Sequence, residues 1–229
     1  MMVPPASQRK LIQVAGVASF AHAILSSSVL TFFLLNPSII LTASAEQTLI
    51  ALSSSSGQTT WMLAFFGFII ECLLNIAFIL GVFVILLRSN YVLTLLGTAF
   101  AFLSIAVFEG ANATLALSGV VLGNSYASAG PAERTMLVGE MKLLLAIGLS
   151  MQEVGILLSA ATGLMIGAAI VRSRDLNHYL GWYLLTISTV WLVGLLPWAF
   201  ALQVIGFYAW FVWVFAMGVA LLRYSRRLA

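Results

Sequence analysis

Long apolar stretches separated by short polar segments dominate the pattern of this sequence. Six stretches reach the roughly 20 residues that a helix needs to cross the hydrocarbon core of a bilayer, about 30 Å thick. Water does not reach backbone groups at that depth, so stretches of this kind form helices there. The predicted spans are 11–35, 60–87, 91–122, 136–171, 179–200 and 204–222. The pattern therefore predicts an all-α, polytopic bundle of six transmembrane helices that forms one domain over residues 1–229.

The polar segments between the apolar stretches contain capping and turn signals. Ser44 and Gln47 match the S-x-x-Q capping box, which predicts a short surface helix over 45–52. The serine-rich segment 53–57 that follows is predicted to be a flexible connector. Asparagine, glycine and proline in the segment 123–135 predict an irregular loop between the third and fourth spans.

Composition strengthens the membrane interpretation and excludes several classes of protein. Hydrophobic residues make up 62% of the chain and charged residues 7%, whereas soluble proteins have about 45–50% and about 25%. So few charges exclude a soluble enzyme, a disordered chain and a nucleic-acid-binding protein, and the ten dispersed Lys and Arg form no basic patch. The single cysteine, Cys72, excludes an internal disulfide. The expected partner is the lipid bilayer, joined by another membrane subunit or by further copies of the chain.

Lysine and arginine are unevenly distributed between the two sets of loops. One predicted side holds only Arg134 and Lys142. The other side holds eight: Arg9, Lys10, Arg88, Arg172, Arg174, Arg223, Arg226 and Arg227. Because cytoplasmic loops have the excess of Lys and Arg, both termini are predicted to be cytoplasmic. An even number of spans also requires the termini to share a side, and the expected location is the plasma membrane.

Small residues are concentrated in the first and fourth predicted spans. The fourth contains Gly163-x-x-x-Gly167, a pattern typical of closely packed membrane helices. These two spans are therefore predicted to lie centrally among the helices.

Carboxyl groups inside the predicted spans are the candidate functional groups, since a charge at the centre of a span costs about 2.5–3.5 kcal/mol on insertion scales. At 1.5 Å of rise per residue, Glu71, Glu109 and Glu140 lie on three helices at overlapping depths toward the outer side. Asn75 follows Glu71 by four residues and Asn112 follows Glu109 by three, so each pair shares a helix face. The pattern predicts an outward-facing acidic pocket that binds or moves a small cation, a proton or an amphipathic molecule.

Structural roles for the same residues stay open at this point. A buried glutamate that is protonated, or bonded to a hydroxyl or amide on another helix, serves only to hold helices together. Glu140 lies near a span end, where its side chain can extend to the membrane surface. His22 and Glu153 are candidates for a proton relay. For His22, which lies among serines of its span, hydrogen-bonded packing is the favoured interpretation, and for Glu153 packing is an equal alternative.

Motifs of known membrane chemistry are absent from the chain. It has no HExxH zinc motif, no Walker loop, no CxxC pair and no GxSG serine. The sequence therefore predicts no catalytic residue, no cofactor and no metal site, and the chain is more compatible with a non-enzyme. Two alternative functions stay open: a non-catalytic subunit or regulator that packs against another membrane protein, and an intramembrane enzyme that uses glutamates.

Two turns complete the sequence picture. The predicted turn at Arg88 is followed by a helix that contains a Leu-Gly pair. The second turn, over residues 172–181, has an arginine and a Leu-Gly pair in the same order. With acids at Glu71 and Glu109 and a polar outer loop after the first span, the chain resembles the bacterial and archaeal six-span membrane protein family of unknown function 4386. The resemblance implies a six-span frame and no established activity.

Overall fold

The computed structural model describes residues 6–35, 44–196 and 198–228. Within these ranges the chain forms seven helices and no strand, so the all-α prediction is confirmed. In chain order the helices are α1 (Ala6–Leu35), α2 (Ala45–Leu52), α3 (Ser55–Leu86), α4 (Tyr91–Ser128), α5 (Pro131–Arg172), α6 (His178–Gly194) and α7 (Phe200–Arg227).

Five of the described helices are long and apolar enough to cross a membrane: α1, α3, α4, α5 and α7. They coincide with five of the six predicted spans and support a multi-pass membrane protein. Helix α6 coincides with the remaining predicted span, but it has only 17 residues and ends at Gly194. At 1.5 Å per residue its length is about 25 Å, shorter than the other five.

The predicted capping box at the start of α2 is confirmed. The Gln47 backbone N–H donates to Ser44 Oγ at 3.2 Å, and the Ser44 N–H donates to Gln47 Oε1 at 2.9 Å. These reciprocal bonds satisfy backbone donors that the first turn of a helix otherwise leaves unpaired. The helix then runs from Ala45 to Leu52, the predicted range.

The predicted flexible connector over 53–57 is wrong in its extent. Helix α3 begins at Ser55, so only Ser53 and Ser54 separate it from α2. The Gly57 backbone N–H donates to Ser54 Oγ at 3.1 Å. This serine caps the helix, because a side-chain oxygen at that position accepts from an unpaired first-turn N–H.

The predicted loop over 123–135 is likewise almost entirely helical. Helix α4 continues to Ser128 and α5 begins at Pro131, which leaves Ala129 and Gly130 between them. Proline is well suited to the first position of a helix, because its missing N–H would be unpaired there anyway. Proline at this position therefore begins a helix and does not extend the loop.

The chain divides into two compact units. Unit 1 comprises Met1–Ser27, Glu71–Ala106 and Gly155–Ala229. Unit 2 comprises Ser28–Ile70 and Val107–Val154.

In unit 1, helix α1 is packed against two other helices through glycines. Ala15, Ser19 and His22 of α1 have no exposed surface. A Cβ placed on Gly81 of α3 would overlap the Ala15 Cβ, and one placed on Gly218 of α7 would overlap Ser19 Oγ. Both helices therefore approach α1 at a distance that only glycine permits.

The predicted close-packing pattern of α5 packs against another helix of the same chain. A Cβ on Gly163 would overlap Ser188 Oγ of α6, and one on Gly167 would lie 3.0 Å from the Gly181 carbonyl oxygen. The pattern thus joins α5 to α6 in unit 1. In their most apolar windows α1 and α5 are 44% and 50% buried, the largest shares among the five long helices.

In unit 2, Trp61 of α3 is fully buried against α4. Its Nε1 donates to the Leu115 carbonyl oxygen at 3.0 Å, and Gly119 leaves room for the ring. This contact satisfies the one polar atom of a large apolar side chain, as buried tryptophans require.

Candidate functional site

The two units divide the predicted site residues between them. Unit 1 contains His22, Glu71 and Asn75. Unit 2 contains Glu109, Asn112, Glu140 and Glu153. Among the described residues, the predicted site residues contribute to one polar cluster in each unit, and these two clusters differ in chemistry.

The cluster in unit 1 is centred on a contact between His22 of α1 and Glu71 of α3. His22 has no exposed surface, and 19% of the Glu71 side chain is exposed. His22 Nδ1 lies 3.4 Å from the Glu71 backbone carbonyl oxygen. Nε2 of the same ring lies 3.7 Å from Glu71 Oε1. One imidazole therefore contacts both the backbone and the carboxyl group of one glutamate.

Close helix packing explains how this contact arises. Ala15, which Gly81 admits against α1, lies seven residues before His22, so the two side chains share a face two turns apart. Bringing that face against α3 places the His22 ring beside Glu71. The sequence indicated depth for both residues, but it did not predict that they are partners.

Two more buried oxygen atoms belong to the same stretches of α1 and α3. Ser26 lies one turn after His22, and Asn75 lies one turn after Glu71. Ser26 Oγ and Asn75 Oδ1 are buried and make no hydrogen bond within the described ranges. The predicted site residues Glu71 and Asn75 thus lie on one helix, as expected, and the His22 ring is an additional member of the same cluster.

The cluster in unit 2 joins α4 to α5 through two amides. Asn112 is fully buried, and its Oδ1 accepts from Gln152 Nε2 at 2.8 Å. Glu109 lies one turn away, beside the Asn112 side chain. Its Oε2 is buried without a hydrogen-bond partner in the described part of the chain. Gln152 was not among the predicted site residues, although an amide at mid-span is a signal for interhelical hydrogen bonding.

The other two predicted carboxylates lie at the surface of unit 2. The side chains of Glu140 and Glu153 on α5 are exposed. Neither makes a hydrogen bond or an ion pair with the described residues. The structure therefore brings neither of them into the Asn112 cluster.

A shallow cavity of about 420 Å³ lies elsewhere in unit 2 and contains none of the predicted site residues. Its lining is polar at the start of α3 and apolar beyond: Ser55, Gln58, Thr59, Met62, Leu63, Phe66 and Val120. Among the residues that the structure describes, no group of three or more His, Cys, Asp and Glu is placed to hold a metal ion.

Comparison with protein-family models gave no match, and comparisons with curated proteins and with solved structures gave none either. The resemblance to family 4386 therefore stays a prediction. The residues that point to a function are those of the two polar clusters. The His22–Glu71 contact joins an imidazole and a carboxyl group on two different helices.

Proposed function

We propose that this chain is an integral plasma membrane protein with six spans and both termini in the cytoplasm, which binds or moves a small cation or a proton through a site at Glu71. Membership of family 4386 is part of the same proposal and adds no activity to it. In this topology α6 is a short sixth span, which a bilayer accommodates by local thinning.

The distribution of charge supports the proposed orientation. All eight Lys and Arg that the positive-inside rule assigns to the cytoplasm belong to unit 1, and the remaining two belong to unit 2. Five of the seven acids belong to unit 2. Short cytoplasmic loops of membrane proteins have the excess of basic residues, and eight of the ten Lys and Arg lie in the loops and terminal segments that this orientation makes cytoplasmic.

The contact between His22 and Glu71 is the observation that supports the proposed activity. An ionisable residue inside a span is costly, and such residues commonly mark ion pathways and proton relays. Here an acid and an imidazole lie within 3.7 Å of each other on two apolar helices. Asn75 Oδ1 and Ser26 Oγ add oxygen atoms that lack hydrogen-bond partners in the described chain. Carboxylate, amide and hydroxyl oxygens favour a positively charged occupant.

Glu109, Asn112 and Glu140, which the sequence predicted as ligand- or ion-binding residues of the same acidic pocket, stay in the proposal as predicted. For Asn112 the hydrogen bond to Gln152 supports a packing role equally well. The site at Glu71 is therefore the part of the proposal that an experiment should address first.

A transport assay in liposomes tests the role of Glu71. We expect the reconstituted protein to speed the collapse of an imposed pH gradient or the uptake of a monovalent cation, and Glu71→Gln to return the rate to that of protein-free liposomes. Glutamine has nearly the same size but lacks the charge that attracts the ion. The matched control is Glu133→Gln, which neutralises an exposed carboxylate in the first turn of α5. Equal rates for the wild type and Glu71→Gln would refute the proposal.

A further inference from the structure

The bond from His22 to the backbone determines which ring nitrogen carries the hydrogen. Nδ1 lies 3.4 Å from the carbonyl oxygen of Glu71, and a carbonyl oxygen can only accept a hydrogen bond. In the neutral ring the hydrogen is therefore on Nδ1, and Nε2 has the lone pair. Nε2 is buried and makes no hydrogen bond within the described chain.

This tautomer makes Nε2 and Glu71 Oε1 two acceptors that face each other. They lie 3.7 Å apart, which is too far for a direct hydrogen bond. An ionised carboxylate has no hydrogen to donate, so the two atoms attract each other only when something positive lies between them. We propose that this occupant is a single proton shared by His22 and Glu71, so that the chain is a proton-binding membrane protein. This inference rests on the proposed function and names its ion.

The ligand set favours a proton over a metal ion. Hard cations such as Mg²⁺ and Ca²⁺ take oxygen ligands, and a ring nitrogen is a poor substitute. Transition metals accept imidazole, but the described residues contain no group of three or more His, Cys, Asp and Glu placed to hold one. A proton needs only two acceptors. A movement of about 1 Å would bring Nε2 and Oε1 to the 2.7–2.9 Å of a charge-assisted hydrogen bond.

Few titratable side chains belong to the described parts of the three helices α1, α3 and α7. On α3 the other titratable residue is Cys72, next to Glu71. Helix α7 packs against α1 at Gly218 and has no titratable side chain between Tyr208 and Arg223. The two basic residues of α1 lie three turns from His22.

Proton uptake by the pair is a simple addition. One proton from water adds to the Nε2 lone pair, and the new N–H donates to the Glu71 carboxylate. No bond of the protein breaks, and the net charge of the pair changes from −1 to zero. A neutral pair is better tolerated at membrane depth than a lone carboxylate, which gives the site a reason to take up the proton.

Nitrogen NMR on the full-length chain in lipid nanodiscs tests the inference directly. The chain has two histidines, so His178→Gln leaves His22 as the only labelled ring. We expect a protonated Nδ1 and an unprotonated Nε2 at pH 8, and protonation of Nε2 on acidification. Sodium, potassium or zinc ions added at constant pH should leave both signals unchanged.

The variant Glu71→Gln separates the two contacts of the ring. It keeps the backbone carbonyl, so the Nδ1–H tautomer should persist and report that the helices still pack. It removes the carboxylate, so the ratio of protonated to neutral Nε2 at fixed pH should fall about tenfold or more. The control Glu133→Gln should leave that ratio unchanged. A neutral ring with its hydrogen on Nε2 in place of Nδ1, an unchanged ratio in Glu71→Gln, or a ratio that responds to metal ions would each overturn the shared proton.

The NMR and liposome experiments test separate claims, and either claim can be refuted without the other. If the NMR signals behave as expected but Glu71→Gln leaves the transport rate unchanged, the shared proton stands and transport through Glu71 is refuted. If Glu71→Gln abolishes transport while His22 has its hydrogen on Nε2, the ion site stands and the shared proton is refuted.

Discussion

Buried amides in unit 2 show how single polar residues contribute at membrane depth. Asn112 has no exposed surface, and its side-chain oxygen is satisfied by Gln152 on the next helix. Removal of one partner leaves a buried acceptor without a donor, which is more costly than the net value of the bond itself. The stability of the α4–α5 contact should therefore depend on this pair.

We expect Gln152→Leu to lower the free energy of unfolding by about 1–2 kcal/mol, the range of interhelical hydrogen bonds measured with model membrane peptides. Reversible unfolding in bicelles by a denaturing detergent measures this quantity. The adjacent Glu153→Gln alters an exposed carboxylate and should change it by less than about 0.5 kcal/mol. Equal stability of the two variants would contradict a structural role for the amide pair.

The sequence could predict which polar residues lie inside the membrane spans, but it could not predict which residues on other helices they contact. Glu71 with Asn75, and Glu109 with Asn112, follow from spacing along one helix, and spacing is visible in a sequence. The contact of His22 with Glu71 joins residues 49 positions apart. It depends on the register of α1 against α3, which side-chain packing determines and a hydrophobic pattern does not contain.

At the scale of helices, local chemistry determined where the sequence prediction succeeded. The capping box at Ser44 was predictable, because both partners lie within one turn. The extents of α3 and α5 were missed, because serine and proline are common both in loops and at the first positions of helices. Ser54 and Pro131 act in the second way, and so the two predicted loops are short turns.

Close packing of α1 against α3 is the element-scale requirement of the His22 site. We expect Gly81→Ala to destabilise the protein by about 1–3 kcal/mol, because the added methyl group would overlap the Ala15 Cβ. Since the overlap pushes the two helices apart, proton transport in liposomes should fall as well. Gly139→Ala is the matched control, because a Cβ at Gly139 meets no atom within 4 Å. If both variants transport and unfold alike, the close approach does not support the site.

For the molecule as a whole, the number of spans determines whether both termini lie on the same side of the membrane. Five described helices are long and apolar enough to cross a membrane, and α6 has 17 residues. Six crossings place both termini on one side, whereas five place them on opposite sides. In the proposed six-span topology both terminal segments, with Arg9 and Arg227, lie on the side that has the excess of basic residues.

Cysteine labelling in intact cells tests this topology most directly, because it reports the side of the membrane on which each labelled position lies. In a Cys72→Ser background, a membrane-impermeant maleimide would probe Ser7→Cys near the start, Leu228→Cys near the end and Ser128→Cys at the end of α4. The account predicts that Ser128→Cys labels in intact cells, and that both terminal positions label only after the membrane is opened. Labelling of either terminus in intact cells would contradict it.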